Sequence, residues 1–263
     1  MYEIVENNPF APELEIRAVD DIRIVVLNRP EARNAVDEAL HGALAKVWGW
    51  LAQDETARAV VLTANGKAFC SGGDFNLMQE LHADRAKRTK LLDEGRVIIE
   101  ELLNCPLPVV TAVNGPAAGL GASLAVLSDM VFMSEDAFMS DPHVAVGLTA
   151  GDGGPLTWPF LTSLLRAKEF LFTGDRIPAD QAVALGLANR VVAADALQDE
   201  ALAFARRLAA LPRHALRSSK RAINLHVLKA AGGLLDFAFA MEHQSFDDED
   251  HRRIVSSILA KSS

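Results

Sequence analysis

The sequence predicts an α/β fold with a largely parallel sheet. Three observations lead there: short β-branched apolar runs closed by turn residues, intervening stretches with apolar residues at helical spacing, and the alternation of the two over the first half of the chain. Residues 22–27 (IRIVVL) end at Asn28-Arg29-Pro30 and residues 59–63 (AVVLT) end at Ala64-Asn65-Gly66, so both read as buried strands. Between them, residues 37–51 place Leu40, Leu44, Val47, Trp48 and Leu51 at spacings of 3 and 4, the stripe of one helix. Residues 84–103 repeat the helical pattern, 109–113 give the next strand, 119–127 a helix of small residues, and 130–133 a further strand. After Gly153 the strands nearly disappear, and helices are expected at 155–165, 179–185, 197–211, 215–225 and 234–259. The expected organisation is a catalytic core over residues 1–200 and a helical C-terminal region over 201–263.

Composition narrows the function classes. With 263 residues, 50% hydrophobic and 23% charged, the chain can bury a core, which excludes disordered and fibrous classes. A formal net charge of −9 repels phosphate backbones, so no nucleic-acid partner is expected. The most apolar stretch, residues 116–127, is only about 12 residues long and is interrupted by glycine, too short for a bilayer, so no membrane partner is expected. Cys70 and Cys105 cannot supply a disulfide framework, and the acidic opening segment lacks the features of a signal peptide; both point to the cytoplasm.

Two glycine-bearing loops follow strands. Residues 68–74 (AFCSGGD) carry paired glycines, which let backbone N–H groups point into a cavity. Residues 114–121 (NGPAAGLG) open a helix whose first N–H groups are free and carry partial positive charge. Each suits an anion, although either alone could be only a tight turn.

The pair, in this order, resembles the crotonase (enoyl-CoA hydratase/isomerase) superfamily. The matching residues are 28–35 (NRPEARNA), 68–74, 114–121 with Asp129 following, Phe172-Thr173-Gly174, and 182–191 (AVALGLANRV), and they run in family order over most of the chain. The resemblance implies a spiral of repeated ββα units with a C-terminal helical trimerisation part. It implies an acyl-CoA substrate, no cofactor beyond that CoA, and a thioester carbonyl held by two backbone N–H groups, which by position are those of Gly73 and Leu120. CoA contacts carry over to Arg29, Ala32, Arg33, Ala35, Ala68, Gly72, Asp74 and Phe75. Arg29 and Arg33 are candidates for the CoA phosphates or else ordinary surface arginines, and Asp74 is expected to brace its loop. Self-association as a homotrimer or a dimer of trimers is expected, with Phe237, Phe239, Met241 and Phe246 as the apolar surface to be covered.

The chain departs from the family where hydratases carry two glutamates. The first position is Ser123 and the second is His143, so two-glutamate hydration is not available. His143 in Asp141-Pro142-His143 is followed nine residues later by Asp152, also at a family position facing the substrate. A carboxylate that orients an imidazole raises its basicity, so His143 is the expected general base and Asp152 its partner, unless Asp152 caps the helix starting near Gly153. Superfamily members that hydrolyse a carbon–carbon bond of cyclic β-diketones are similar here, with such a His/Asp pair and a glutamate near Glu242, although a glutamate also recurs there in CoA-using relatives. Ser123 could be a nucleophile, but the G-x-S-x-G pattern is incomplete and a helix-packing role is expected.

The remaining histidines lack metal-ligand spacing, no metal site is expected, and Cys70 is expected to be apolar filler. The expected function is therefore an enoyl-CoA hydratase/isomerase-like enzyme with His143 in place of the glutamate base. The alternatives are a hydrolase of a β-diketone or thioester using water activated by His143 and Asp152, and a catalytically inactive binding member of the family.

Overall fold

The computed structural model describes residues 2–262. Its main sheet begins with three antiparallel neighbours, β1 (Glu3–Ile4), β2 (Leu14–Val19) and β3 (Ile22–Leu27). From β3 onward the pairing is parallel, through β4 (Ala59–Ala64) and β5 (Val109–Val113). A small second sheet uses β6 (Ala117–Ala118), and the main sheet resumes with β7 (Met130–Ser134) beside β5. β8 (Phe138–Ser140) and β9 (Ile177–Pro178) complete the small sheet, and β10 (Arg190–Val192) is the last strand of the main one. The seven-stranded sheet thus runs β1-β2-β3-β4-β5-β7-β10 and the three-stranded sheet β6-β8-β9.

Parallel neighbours need crossover connections. α1 (Glu38–Ala52) connects β3 to β4, α2 (Phe75–Ala83) and α3 (Arg85–Asn104) connect β4 to β5, and α4 (Leu120–Val126) leads towards β7. α1 starts where Asp37 accepts the Leu40 backbone N–H at 2.9 Å, which satisfies a donor that the helix leaves free. One face of the sheet, through Val25, Leu27, Val60 and Leu62, packs on Leu44, Trp48, Ile98 and Ile99 of α1 and α3. The opposite face, through Ile24, Val26, Ala59 and Val61, packs on α8 (Leu197–Ala209). β3 and β4 are buried on both faces, which is why their sequences read as unbroken apolar runs.

The C-terminal half differs from expectation in its breaks. The helix expected over residues 155–165 is two helices, α5 (Gly154–Leu161) and α6 (Leu164–Thr173), because Ser163 caps the second by accepting the Arg166 N–H at 3.3 Å. α7 (Ala179–Leu185) lies as expected. α9 (Arg213–Ser245) is interrupted at Gly232 and Gly233 (φ 78), whose backbone is non-helical, within the gap expected between residues 225 and 234, and a further break that the pattern does not predict precedes α10 (Glu249–Ser262). By length and composition α9 passes for a membrane-spanning helix, but α9 packs against α3 within the fold.

This packing corrects the expected interface surface. Phe239 and Phe246 are buried inside the chain and only Phe237 of the three phenylalanines is exposed. The two buried rings cover a cavity next to α2 and α3, so their apolar surface is consumed within the chain. Exposed apolar side chains cluster instead on α5 and α6, at Phe160, Leu164, Leu165 and Phe172.

Candidate active site

The two glycine-bearing loops meet backbone to backbone. An isolated bridge joins Cys70 to Ala117, and a Cβ at Gly121 would lie 2.6 Å from the Cys70 carbonyl oxygen, so only glycine permits this approach. Gly119 turns the second loop with φ 51 and donates its N–H to the Ser140 carbonyl at 3.0 Å. Gly73 and Leu120, the residues expected to hold the thioester oxygen, both line one cavity, and neither N–H donates to a backbone carbonyl among the described residues. Cys70 is fully buried and its thiol is pushed up to about 12 by burial, which suits its expected filler role.

His143 stands beside this junction, its Cε1 3.5 Å from where a Cβ on Gly119 would be. It is clamped between two carboxylates. Nδ1 lies 2.5 Å from Asp141 Oδ1, and Nε2 lies 3.3 Å from Asp152 Oδ2. Asp152 in turn accepts the Ser123 hydroxyl on Oδ1 at 2.9 Å. Sequence reasoning paired His143 with Asp152 and missed Asp141, the nearer partner, although the Asp-Pro-His spacing was in view.

The electrostatics bear on the expected role of the imidazole. Burial works against its charge, but the flanking Asp152 and Asp141 carboxylates outweigh that and hold His143 well above the ordinary imidazole value. Burial likewise disfavours charge on Asp152, yet the His143 imidazolium and the hydrogen bonds from His143 and Ser123 keep its carboxyl below the usual range. The basicity of the imidazole is therefore raised, as expected for a ring oriented by a carboxyl group, with Asp141 and Asp152 both contributing. The ligand-type atoms of Asp141, His143 and Asp152 lie within 4.8 Å of one another.

Ser123 is 1% exposed and its hydroxyl is committed to Asp152. It therefore does more than fill space in α4, and Asp152 stands between it and the imidazole that a serine nucleophile would need. Asp152 does not cap α5, whose first turn receives no side-chain bond at Gly153.

Glu242 completes the cavity from α9. Its Oε2 has no hydrogen-bond partner among the described residues. Burial, reinforced by the charges of Asp152 and Asp141, pushes its carboxyl up to about 8, with His143 acting in the opposite sense. Asp152, His143 and Glu242 line the cavity together with apolar side chains of α2, α3 and α9, and with His41 of α1, which sequence reasoning had set aside as a surface or core residue.

The residues expected on the CoA side divide into two kinds. Arg29 is engaged by its own loop, pairing with Asp37 at 2.9 Å and donating to the Ala35 carbonyl. Asn34 fastens that loop, which carries Ala32 and Ala35, by donating to the Ala68 carbonyl at 2.9 Å. Arg33 is exposed and its guanidinium has no partner among the described residues. Asp74 caps α2 by accepting the Asn76 N–H at 2.8 Å and also lines the cavity, with Phe75 next to it as the first residue of that helix. Gly72 and Ala68 are buried beneath them.

Comparison with known proteins follows this geometry. The family model described as enoyl-CoA hydratase/isomerase matches residues 18–261. A short-chain-enoyl-CoA hydratase of Clostridium acetobutylicum is 31% identical, over 91% of this chain and 92% of its own length. A 1,2-epoxyphenylacetyl-CoA isomerase of Escherichia coli is 32% identical, over 92% of this chain and 93% of its own. A crystal structure of an enoyl-CoA hydratase/isomerase from Mycobacterium paratuberculosis has a TM-score of 0.91 and 50% identity, covering 93% of this chain and 98% of that one.

Proposed function

The chain belongs to the enoyl-CoA hydratase/isomerase family of enzymes, and from that premise we propose that it transforms an acyl-CoA thioester whose carbonyl oxygen accepts the Gly73 and Leu120 N–H groups. Such a donor pair stabilises the negative charge that develops on the oxygen when an enolate forms, worth roughly 3–4 kcal/mol per donor.

One observation carries the acid–base reading: two carboxyl groups on the same cavity have been driven apart, Asp152 held ionised and Glu242 pushed up to about 8. A site that holds one carboxylate and one neutral carboxylic acid near neutral pH has an acceptor and a donor ready together. Asp152 takes the proton leaving the substrate or an incoming water. His143, charged and paired with it at 3.3 Å, keeps that carboxylate ionised beforehand. The base function expected of His143 thus belongs to the His143–Asp152 pair as a unit, and Glu242 supplies the complementary proton.

A second reading is hydrolysis of a β-diketone or thioester. It is favoured by the occupation of both hydratase glutamate positions by Ser123 and His143, each hydrogen-bonded to Asp152. Assembly into a trimer or a dimer of trimers is part of the main proposal, supported by the exposed apolar side chains of α5 and α6.

A turnover screen against crotonyl-CoA, a β-ketoacyl-CoA and a cyclic 1,3-diketone tests the reading. Turnover of a CoA ester is expected, falling by ~10²–10⁴-fold in Asp152→Asn and His143→Ala with little change in ester affinity. Turnover of the diketone alone would replace it with the second reading.

A further inference from the structure

Of the polar side chains on the cavity, His41 makes no hydrogen bond to the acid–base array among the described residues and reaches it only through the smallest of the electrostatic effects on Asp152. It is 8% exposed and reaches the cavity from α1 among apolar neighbours, Leu91, Leu92 and Phe239. Its Nδ1 lies 3.4 Å from Glu94 Oε2, and that contact holds the Glu94 carboxyl below its usual range. The pair orients the ring, with Nδ1 towards the carboxylate and the opposite nitrogen, Nε2, towards Gly95.

Gly95 keeps the space in front of Nε2 open. A Cβ there would lie 3.8 Å from Nε2 and 3.2 Å from Phe239 Cε1, so any larger residue would close the gap between imidazole and phenyl ring. Nε2 makes no hydrogen bond among the described residues. A ring nitrogen beside apolar side chains loses its water when a ligand fills the cavity, and it regains a partner if the ligand brings one.

We propose that His41 is a specificity-determining residue, and that the acyl chain this enzyme takes carries a hydroxyl which hydrogen-bonds to Nε2. The inference rests on the acyl-CoA reading above and names its substrate class. A hydroxyl fits because it serves Nε2 whether that nitrogen presents a lone pair or an N–H. A hydroxyl donates to that lone pair, and it can also accept from Nε2–H if the ring is charged. A carbonyl oxygen serves only the second state, and a hydrocarbon end serves neither.

The test compares kcat/KM for two short 2-enoyl-CoA esters of equal length, one ending in a methyl group and the other with that methyl replaced by a hydroxyl. The wild type is expected to favour the hydroxylated ester by about tenfold, mostly through KM. His41→Leu is expected to invert the preference, and His41→Gln, which keeps a hydrogen-bonding group, to restore part of it. Equal use of the two esters by the wild type, or a ratio unmoved in His41→Leu, overturns the inference. If both esters bind and react with the plain one favoured, only the His41 inference fails. If neither ester binds, the acyl-CoA reading falls with it. Should His41→Leu fail to fold, the wild-type ratio and His41→Gln decide.

Discussion

Asp141 receives two hydrogen bonds from His143, the backbone N–H at 3.3 Å and Nδ1 at 2.5 Å, so the Asp-Pro-His turn carries its own orienting carboxylate. Asp141 is 1% exposed and does not line the cavity, which separates holding the imidazole from touching the substrate. Asp141→Asn keeps an accepting oxygen and removes the charge. It is expected to lower the His143 pKa in an NMR titration and to reduce turnover on the order of 10²-fold with ester affinity nearly unchanged. An unshifted His143 titration would show that Asp152 alone sets its charge.

Glu242 makes the pH dependence predictable. Its carboxyl moves from 4.5 to about 8 in the folded chain, so the native state binds this proton more tightly than the unfolded state. The resulting contribution to stability is complete below the unfolded carboxyl's range and is lost as pH rises through that of the folded one. Glu242→Gln removes the dependence, and its melting temperature relative to wild type is expected to improve between about pH 6 and pH 9. Wild-type turnover is expected to decline above about pH 8, where the proton donor is spent. A flat profile to pH ~10 would assign the proton elsewhere.

Arg29 and Arg33 are neighbours in sequence with opposite expected behaviour. Arg33→Ala is expected to weaken acyl-CoA binding two- to fivefold, roughly the worth of one exposed charge contact, with the difference fading in high salt. Arg29→Ala removes the ties to Asp37 and Ala35 and is expected to lower the melting temperature. Calorimetry and thermal melting of the two variants distinguish ligand contact from loop support.

The exposed side chains of α5 and α6 give the assembly prediction its residues. Light scattering at micromolar concentration is expected to return a multiple of three chains, and Leu165→Asp with Phe172→Asp to lower that mass. A monomeric wild type would contradict it.

The parts legible in the sequence were those fixed by local pattern. β3 and β4 are apolar on both faces, so their runs stand out, whereas β2 interposes Glu15 and Arg17 between its buried Leu14, Ile16 and Val19 and was missed. The loops at residues 68–74 and 114–121 announce themselves through glycine, which the close approach of Gly121 to Cys70 demands. The Asp141 contact depends on how the Asp-Pro-His turn folds back on itself, and the state of Glu242 on burial and distant charges that no local pattern contains. The same holds for Phe239 and Phe246, whose apolarity was visible but whose use inside their own chain was not.

The bend of α9 at Gly232-Gly233 also orders events in time. The segment beyond it brings Phe239 and Glu242 to a cavity whose glycine-bearing loops lie more than a hundred residues earlier in the chain. Synthesis proceeds from the N-terminus, and early segments can fold as they emerge. A nascent chain with its sheet and loops already formed therefore lacks one wall of the pocket and the proposed proton donor, Glu242. The proposed chemistry is withheld until the segment beyond Leu234 has been made, and a chain terminated before Leu234 is expected to be inert towards acyl esters.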